Sequence, residues 1–229
     1  MKELCKILLL ILTLSLPSPA QDGYGFLNFV NMIPGDGSCE IRIDSKNPAG
    51  DGLKSANDTG WFLFPVGSRS LTITSGELKE AKGDLTIEEG VGSLIAIYLE
   101  ANPKPQKDGK PSPPLIRIRS FPNYNAEGLA LRFVSLCQVD NRFQLGTVRL
   151  NVEPFKTVEV PGWNGAGFVV KKNGKDIGKI PDMREKEPHY LIAATDLEGN
   201  YTVALVYGGG VKVPPWRQKK KSEEPAYQP

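Results

Sequence analysis

Few residues in this sequence could act as a catalytic nucleophile, a general base or a metal ligand. The single histidine, His189, opens an apolar strand after Pro188, a setting that favours a structural role at a strand edge or partly inside the fold. The sequence contains no Gly-x-Ser-x-Gly elbow, no phosphate-cradling Gly-Lys-Ser/Thr loop and no His-Glu-x-x-His helix. Because catalysis needs such groups held by their neighbours, the sequence predicts a protein that is not an enzyme and has no cofactor.

Paired carboxylates are the remaining route to catalysis. Glycoside hydrolysis uses two acidic side chains on either side of one bond, and Asp44 with Asp51 or Asp182 with Glu185 could form such a pair. A carboxylate-dependent hydrolase therefore stays an alternative.

An oxygen-rich loop at residues 47–60 gathers Asp51, Asn57 and Asp58 among glycines. Calcium accepts carboxylate and carbonyl ligands with flexible geometry, so this loop could bind a cation or another ligand. The regular Asp-x-Asp-x-Asp-Gly spacing is absent, which favours a plain solvated loop, and no metal site is predicted.

A second candidate binding loop, PGWNGAG at residues 161–167, presents Trp163 and Asn164 between glycines. Sugar-binding surfaces use such aromatic rings beside amides, because the ring is apolar and the amide is polar. The alternative is that Trp163 folds onto its own domain. Trp61, within the apolar run GWFLF, is expected to pack in the core.

The first twenty residues have the pattern of a secretory signal peptide. Lys2 and Lys6 flank an apolar run at 7–16 that small residues follow, which predicts cleavage before Gln21. Ten apolar residues are too few to cross a bilayer, and no second long apolar segment follows. The mature chain is therefore expected to be secreted, periplasmic or extracellular, without a transmembrane span.

Two cysteines, Cys39 and Cys137, remain after cleavage. In an oxidising compartment they could form one disulfide that closes a loop of about a hundred residues and stabilises the fold by roughly 4–5 kcal/mol. They do not occupy matching positions in the repeat described below, so two buried thiols are the favoured alternative. Two cysteines and one histidine also make a structural zinc site improbable.

Charge is nearly balanced in the mature chain. Removing Lys2, Lys6 and Glu3 from 28 basic and 26 acidic residues leaves it close to neutral, which does not indicate nucleic-acid binding. The basic excess lies at the end, where Lys212, Arg217 and three further lysines precede the terminus. Residues 212–229 are predicted to form a disordered, Pro-rich basic tail that could touch an anionic surface.

Short apolar runs separated by Gly and Pro are typical of an all-β protein. The predicted strands fall into two series: 26–32, 39–43, 61–64, 70–74, 85–88, 93–100 and 115–120, then 129–136, 146–152, 156–160, 167–172, 175–180, 189–195 and 201–207.

The two series match in order and character. Phe29-Val30 recurs 104 positions later as Phe133-Val134, and Leu94 in LIAIYLE is matched with Leu191 in LIAATDLE. The Pro- and Lys-rich segment 102–114 then becomes a long hairpin loop inside the first copy. Asn173-Gly174 predicts a tight type I′ turn in the second. The repeat predicts two tandem antiparallel β-sandwich modules of the immunoglobulin-like kind, each with its own core.

The first series contains three short motifs, FVNMIPGDG at 29–37, IRID at 41–44 and FPVG at 64–67, and an apolar hairpin follows them. In this order they resemble the tandem β-sandwich modules of bacterial envelope and secreted proteins classed as a domain of unknown function. This resemblance implies export and repetition, and the family brings no established activity.

The predicted organisation is a signal peptide at 1–20, modules at 21–121 and 122–211, and a tail at 212–229. We expect a non-catalytic secreted or cell-envelope protein with a structural or ligand-binding, adhesion-type role. Its expected partners are an envelope glycan or another envelope protein, contacted through loops 47–60, 102–114 and 163–164. A carbohydrate-binding accessory module is the alternative.

Overall fold

The computed structural model describes residues 23–35, 38–101, 112–122, 129–137, 142–183, 188–195, 198–208 and 211–212. Within these ranges the chain forms 17 β-strands and no helix, which confirms the all-β prediction. The strands are β1 Tyr24–Asn31, β2 Ser38–Ile43, β3 Leu53–Lys54, β4 Trp61–Pro65, β5 Gly67–Ser75, β6 Ala81–Ile87, β7 Gly92–Glu100, β8 Leu115–Pro122, β9 Ala130–Ser135, β10 Arg142–Leu145, β11 Val148–Asn151, β12 Thr157–Glu159, β13 Phe168–Lys172, β14 Lys175–Ile180, β15 Pro188–Thr195, β16 Tyr201–Tyr207 and β17 Val211–Lys212.

The strands form four sheets. The first inner sheet has the order β17-β4-β1-β7-β8, and the first outer sheet has the order β3-β2-β5-β6. The second inner sheet is β12-β9-β15-β16, and the second outer sheet is β11-β10-β13-β14. The two halves of the chain share one strand order. β4-β1-β7-β8 corresponds to β12-β9-β15-β16, and β3-β2-β5-β6 corresponds to β11-β10-β13-β14.

The two central strands of each inner sheet pair in parallel, so the prediction of antiparallel sheets is wrong for these pairs. β1 runs parallel to β7, with Phe29 opposite Ile95, and β9 runs parallel to β15, with Phe133 opposite Leu191. All other pairs between β1 and β16 are antiparallel. Parallel pairing suits these four strands because each is buried on both faces and reads as a nearly continuous apolar run.

Alternate residues of the inner strands enter different cores. In β7, Ile95 and Ile97 enter a first core between the first inner and first outer sheets, whereas Leu94 and Ala96 enter a central core. In β15, Leu191 belongs to a second core between the second inner and second outer sheets. The first core contains Phe29, Ile41, Ile43, Leu71, Ile73, Ile95 and Ile97.

The central core joins the two halves of the chain. Val30, Leu94 and Phe121 from the first half share it with Val134 and Ile192 from the second. The four sheets therefore stack in the order first outer, first inner, second inner, second outer. The first core is built from the first half of the chain and the second core from the second half, and the central core takes residues from both.

The match of Leu94 with Leu191 is wrong by one residue. The pairing registers make Ile95 the counterpart of Leu191, since each lies opposite the phenylalanine of its Phe-Val pair. A slip of one residue moves every side chain of a strand to the opposite face. Leu94 therefore corresponds to Tyr190, and both enter the central core.

Hairpins account for much of the remaining connectivity. β7 and β8 pair antiparallel from Ser93 to Glu100 of β7. Asn173 and Gly174 have φ angles of 52° and 78° between β13 and β14, as a type I′ turn requires. The short strands β3, β10 and β17 were not predicted.

The end of the described chain returns to the first half. β17 pairs parallel with β4, with Val211 opposite Trp61 and Lys212 opposite Phe62. Lys212 thus lies in a strand, although the sequence placed it in the tail. The rest of the predicted tail, 213–229, and the predicted signal peptide lie outside the described residues.

Candidate functional site

The loop at 47–60 is fastened to strand β1. The Asp58 carboxylate accepts hydrogen bonds from the Asn28 side-chain amide at 2.8 Å and from the Gly60 backbone at 3.1 Å. The Asn57 carbonyl accepts one from the Asn31 backbone N–H at 3.0 Å. Asn57 and Asp58, predicted as binding residues, therefore anchor the loop to the frame.

Two buried asparagines of β1 complete this anchor, and the sequence analysis missed them. Asn28 and Asn31 are both fully buried. The Asn31 amide donates to the Leu53 carbonyl at 2.8 Å, and its oxygen accepts from the Ile33 N–H at 2.9 Å. The signal was present in FLNFVN, where two polar amides interrupt an apolar strand.

Asp51 lies apart from this network, on a surface cleft of about 360 Å³ that also contains Glu40 and Asn47. The Asn47 amide donates to the Gly50 carbonyl at 2.6 Å, so it holds the turn closed. Among the described residues, no group of three or more His, Cys, Asp or Glu could hold a metal ion. The predicted loop residues Asp51 and Asp58 thus have separate surroundings.

The candidate catalytic carboxylates Asp44 and Asp182 each accept hydrogen bonds from neighbouring groups. Asp44 accepts hydrogen bonds from the Arg69 guanidinium at 3.3 Å and from the Ser70 N–H at 3.0 Å. Asp182 accepts one from the Gly167 N–H at 2.7 Å. Glu185, its proposed partner, lies outside the described residues.

Trp163 belongs to an aromatic cluster with His189 and Tyr207. Its ring packs against the second core, and its indole N–H donates to the Ala166 carbonyl at 2.9 Å. His189 meets the Trp163 ring at 5.7 Å and the Tyr207 ring at 5.1 Å, both nearly edge-on. Trp163 is partly buried, as the alternative of a folded-back aromatic predicted. Asn164 is exposed, and its side-chain oxygen accepts from the Ala166 N–H.

His189 is more deeply placed than the sequence suggested. It is fully buried and lies in β15, an interior strand of the second inner sheet. Tyr207, on the neighbouring β16, is 42% exposed and is the one large exposed apolar side chain in the part of the chain that the structure describes. Trp61 packs in the central core, as predicted, and its indole N–H donates to the Tyr207 carbonyl at 3.0 Å.

The two cysteines are free thiols in different cores. Cys39 belongs to the first core and Cys137 to the second, and both are fully buried. This is the arrangement of two buried thiols that the sequence favoured over a disulfide. Burial raises the pKa of the Cys39 thiol to about 12.

Cys137 has a cationic neighbour, Lys172, which is itself only 3% exposed. Burial raises the pKa of the Cys137 thiol, and the nearby Lys172 ammonium opposes that rise. The Lys172 ammonium also lies 4.5 Å from the centre of the Phe143 ring and 5.4 Å from that of Tyr201. Such contacts compensate in part for a buried positive charge.

The outward surface of the second outer sheet, here called the basic face, was not predicted. Its strands carry one carboxylate, on Asp176, against a larger set of cations: Arg142, Arg149, Lys171, Lys172, Lys175 and Lys179. Arg142, Arg149, Lys171 and Lys179 point away from the second core, because they alternate with buried or half-buried side chains. Lys172 and Lys175 lie opposite each other in the register and belong to the other side of the sheet.

A surface cleft of about 460 Å³ lies on the basic face. In the strand registers, Gln144 lies directly opposite Arg149 on one side and Lys171 on the other, so these three side chains form one row across the cleft. Arg142 and Asn151 form the neighbouring row. The Gln144 amide donates to the Gly146 carbonyl at 2.8 Å, which fixes its orientation.

The first outer sheet carries a different pattern of charge. Two of its exposed cations are paired with carboxylates, Arg42 with Glu40 at 2.8 Å and Lys82 with Glu80 at 2.7 Å. The two outer surfaces therefore share their strand order and differ in charge. Total charge hid this difference in the sequence, since it appears only once alternate residues of β10, β11 and β13 are placed side by side.

In comparisons with known proteins, no family model matches the sequence, and no curated protein matches it. The described part of the chain also contains no helix with the length and apolar character needed to span a membrane.

Proposed function

We propose that this chain is a non-catalytic, exported protein of the cell envelope or extracellular space, with a structural or ligand-binding, adhesion-type role. The observation that carries the proposal is the dispersal of its reactive side chains. The thiols are buried in separate cores, Asp58 anchors a loop, and Asp44 pairs with Arg69. A rigid frame with charged groups on its surface suits binding.

The proposed organisation is two tandem immunoglobulin-like sandwich modules, 21–121 and 122–211, in the manner of the envelope modules that the sequence resembles. The recurrence of one strand order in β1 to β8 and β9 to β16 supports this view. In addition, the central core would hold the modules in one fixed orientation, because it buries both inner sheets against each other.

Cell fractionation tests the proposal. The full chain is expressed with a C-terminal tag beside a variant that lacks 1–20, and the exported form is analysed by mass spectrometry. We expect a mature chain beginning at Gln21 that is retained on isolated envelope material. Unprocessed protein in the cytoplasm, or release of new reducing ends from polysaccharide by the purified chain, would contradict it.

The second candidate is a carbohydrate-binding accessory module, which the aromatic cluster favours. Tyr207 is exposed and packs against His189, which in turn contacts Trp163, so sugar rings could stack on the Tyr207 face. A glycan array with the wild type, Trp163→Ala and Tyr207→Ala tests this function. Tyr207→Ala is included because Trp163 also packs against the second core, so that loss of binding in Trp163→Ala alone could result from misfolding. Absence of binding to every neutral glycan would remove this candidate.

A further inference from the structure

We propose that the basic face is a binding surface for an acidic polysaccharide, with anionic groups held by Arg149, Lys171 and Arg142 and sugar hydroxyls held by Gln144 and Asn151. The inference rests on the proposed function, because it names the ligand class of an exported binding protein. Its starting point is the cleft of about 460 Å³ that these residues line.

Geometry places the charges for a polymer. Arg149 and Lys171 flank Gln144 on adjacent strands, so their backbones are about 10 Å apart, twice the usual strand spacing. Cations separated in this way can contact successive anionic groups along a chain. An arginine can also bind a carboxylate or sulfate through two parallel hydrogen bonds, which a lysine cannot do.

Polar neighbours favour a sugar over other polyanions. Gln144, Asn151 and Asn173 line the cleft, and their amides can both donate to and accept from hydroxyl groups. Single-stranded nucleic acid is bound with exposed aromatic rings on which bases stack. The aromatic ring at this cleft, Phe143, is only 3% exposed.

A lipid surface fits less well. Interfacial binding combines cations with apolar side chains that enter the headgroup boundary. Within the described residues, the one large exposed apolar side chain is Tyr207, and it lies on the second inner sheet, not among the residues of the cleft. The basic face therefore has charge and amides without an apolar anchor.

Two cations on the first outer sheet serve as the control for the basic face. Arg42 and Lys82 are exposed cations on the first outer sheet, and both are ion-paired with carboxylates. Lys171 also has a carboxylate nearby, Asp176 at 3.3 Å. Arg142, Arg149 and Lys179 lie on the same face as Lys171. If any two exposed cations could supply the binding, the two pairs of cations would contribute equally.

The test uses the mature full chain and measures binding to polygalacturonate, to dextran sulfate and to uncharged dextran. We expect binding to at least one of the two polyanions, none to dextran, and affinity that falls with added salt. Arg149→Gln with Lys171→Gln should weaken binding roughly ten- to thirtyfold, on the basis of two lost surface contacts. Arg42→Gln with Lys82→Gln should change it less than threefold.

Several results would overturn the inference. No binding to either polyanion would do so, as would equal losses from the two double variants. Loss of binding on removal of 213–229, with Arg149→Gln/Lys171→Gln unaffected, would assign binding to the basic tail. Equal or tighter binding of single-stranded DNA or of anionic phospholipid vesicles would assign a different partner. Export and envelope retention of the double variant would show that the proposed function survives such a failure.

Discussion

Replacement of Leu94 by Ala tests whether the central core makes the two halves one folding unit. Leu94 is fully buried and belongs to the central core. The substitution removes three carbon atoms, worth about 2.4 kcal/mol in transfer free energy at roughly 0.8 kcal/mol each. A residual cavity adds to this loss, so we expect the free energy of unfolding to fall by about 3 kcal/mol.

Urea unfolding followed by tryptophan fluorescence measures the effect in both halves. Trp61 lies in the central core and Trp163 lies against the second core, so two single-tryptophan variants report on different layers of the stack. If the core couples the halves, Leu94→Ala will lower both unfolding midpoints together. Leu99→Ala is the matched control, because Leu99 is only partly buried beside the first core, and it should cost about 1 kcal/mol.

A midpoint at Trp163 that does not move when Leu94 is truncated would refute this reasoning. The halves would then unfold independently, and burial in the central core would contribute little to the free energy of unfolding. Two separate transitions in the unmodified protein would lead to the same conclusion.

Further predictions concern buried polar groups and thiols. Asn31→Ala should lower the free energy of unfolding by about 2 kcal/mol in urea titrations, because it leaves the buried Leu53 carbonyl without its donor; an unchanged midpoint would show that water replaces the amide. Cys39 and Cys137 should react with a thiol reagent only after denaturation, and reduction should leave the mass of the native protein unchanged; rapid labelling of the native protein would contradict their burial. Raising the pH from about 9 to 12 should destabilise the fold, because the folded state holds the protons of Cys39 and Tyr190 to a pKa of about 12 while the unfolded chain loses them earlier. Thermal melts across this range test that sign, and melting temperatures that rise with pH would contradict it.

Local sequence pattern predicted most strands, but it predicted the site poorly. Asn173-Gly174 identified a hairpin because its turn chemistry is local. Strands β10 and β17 were missed because they have only four and two residues, which is too short to show alternation. Trp163 was predicted as a binding residue because it is an aromatic residue in a loop, yet its ring packs against His189 and the second core. The basic face escaped notice because its charges come from four different strands.

The sequence by itself determined that the chain forms short strands and where most of them lie. These features follow from alternation and turn residues, which act over a few positions. Tertiary structure alone decided that β1 lies parallel to β7, that Leu94 and Ile95 enter different cores, and that Arg149 and Lys171 flank Gln144. Those facts depend on which distant strands pair and on which faces meet, and no short-range pattern encodes that choice.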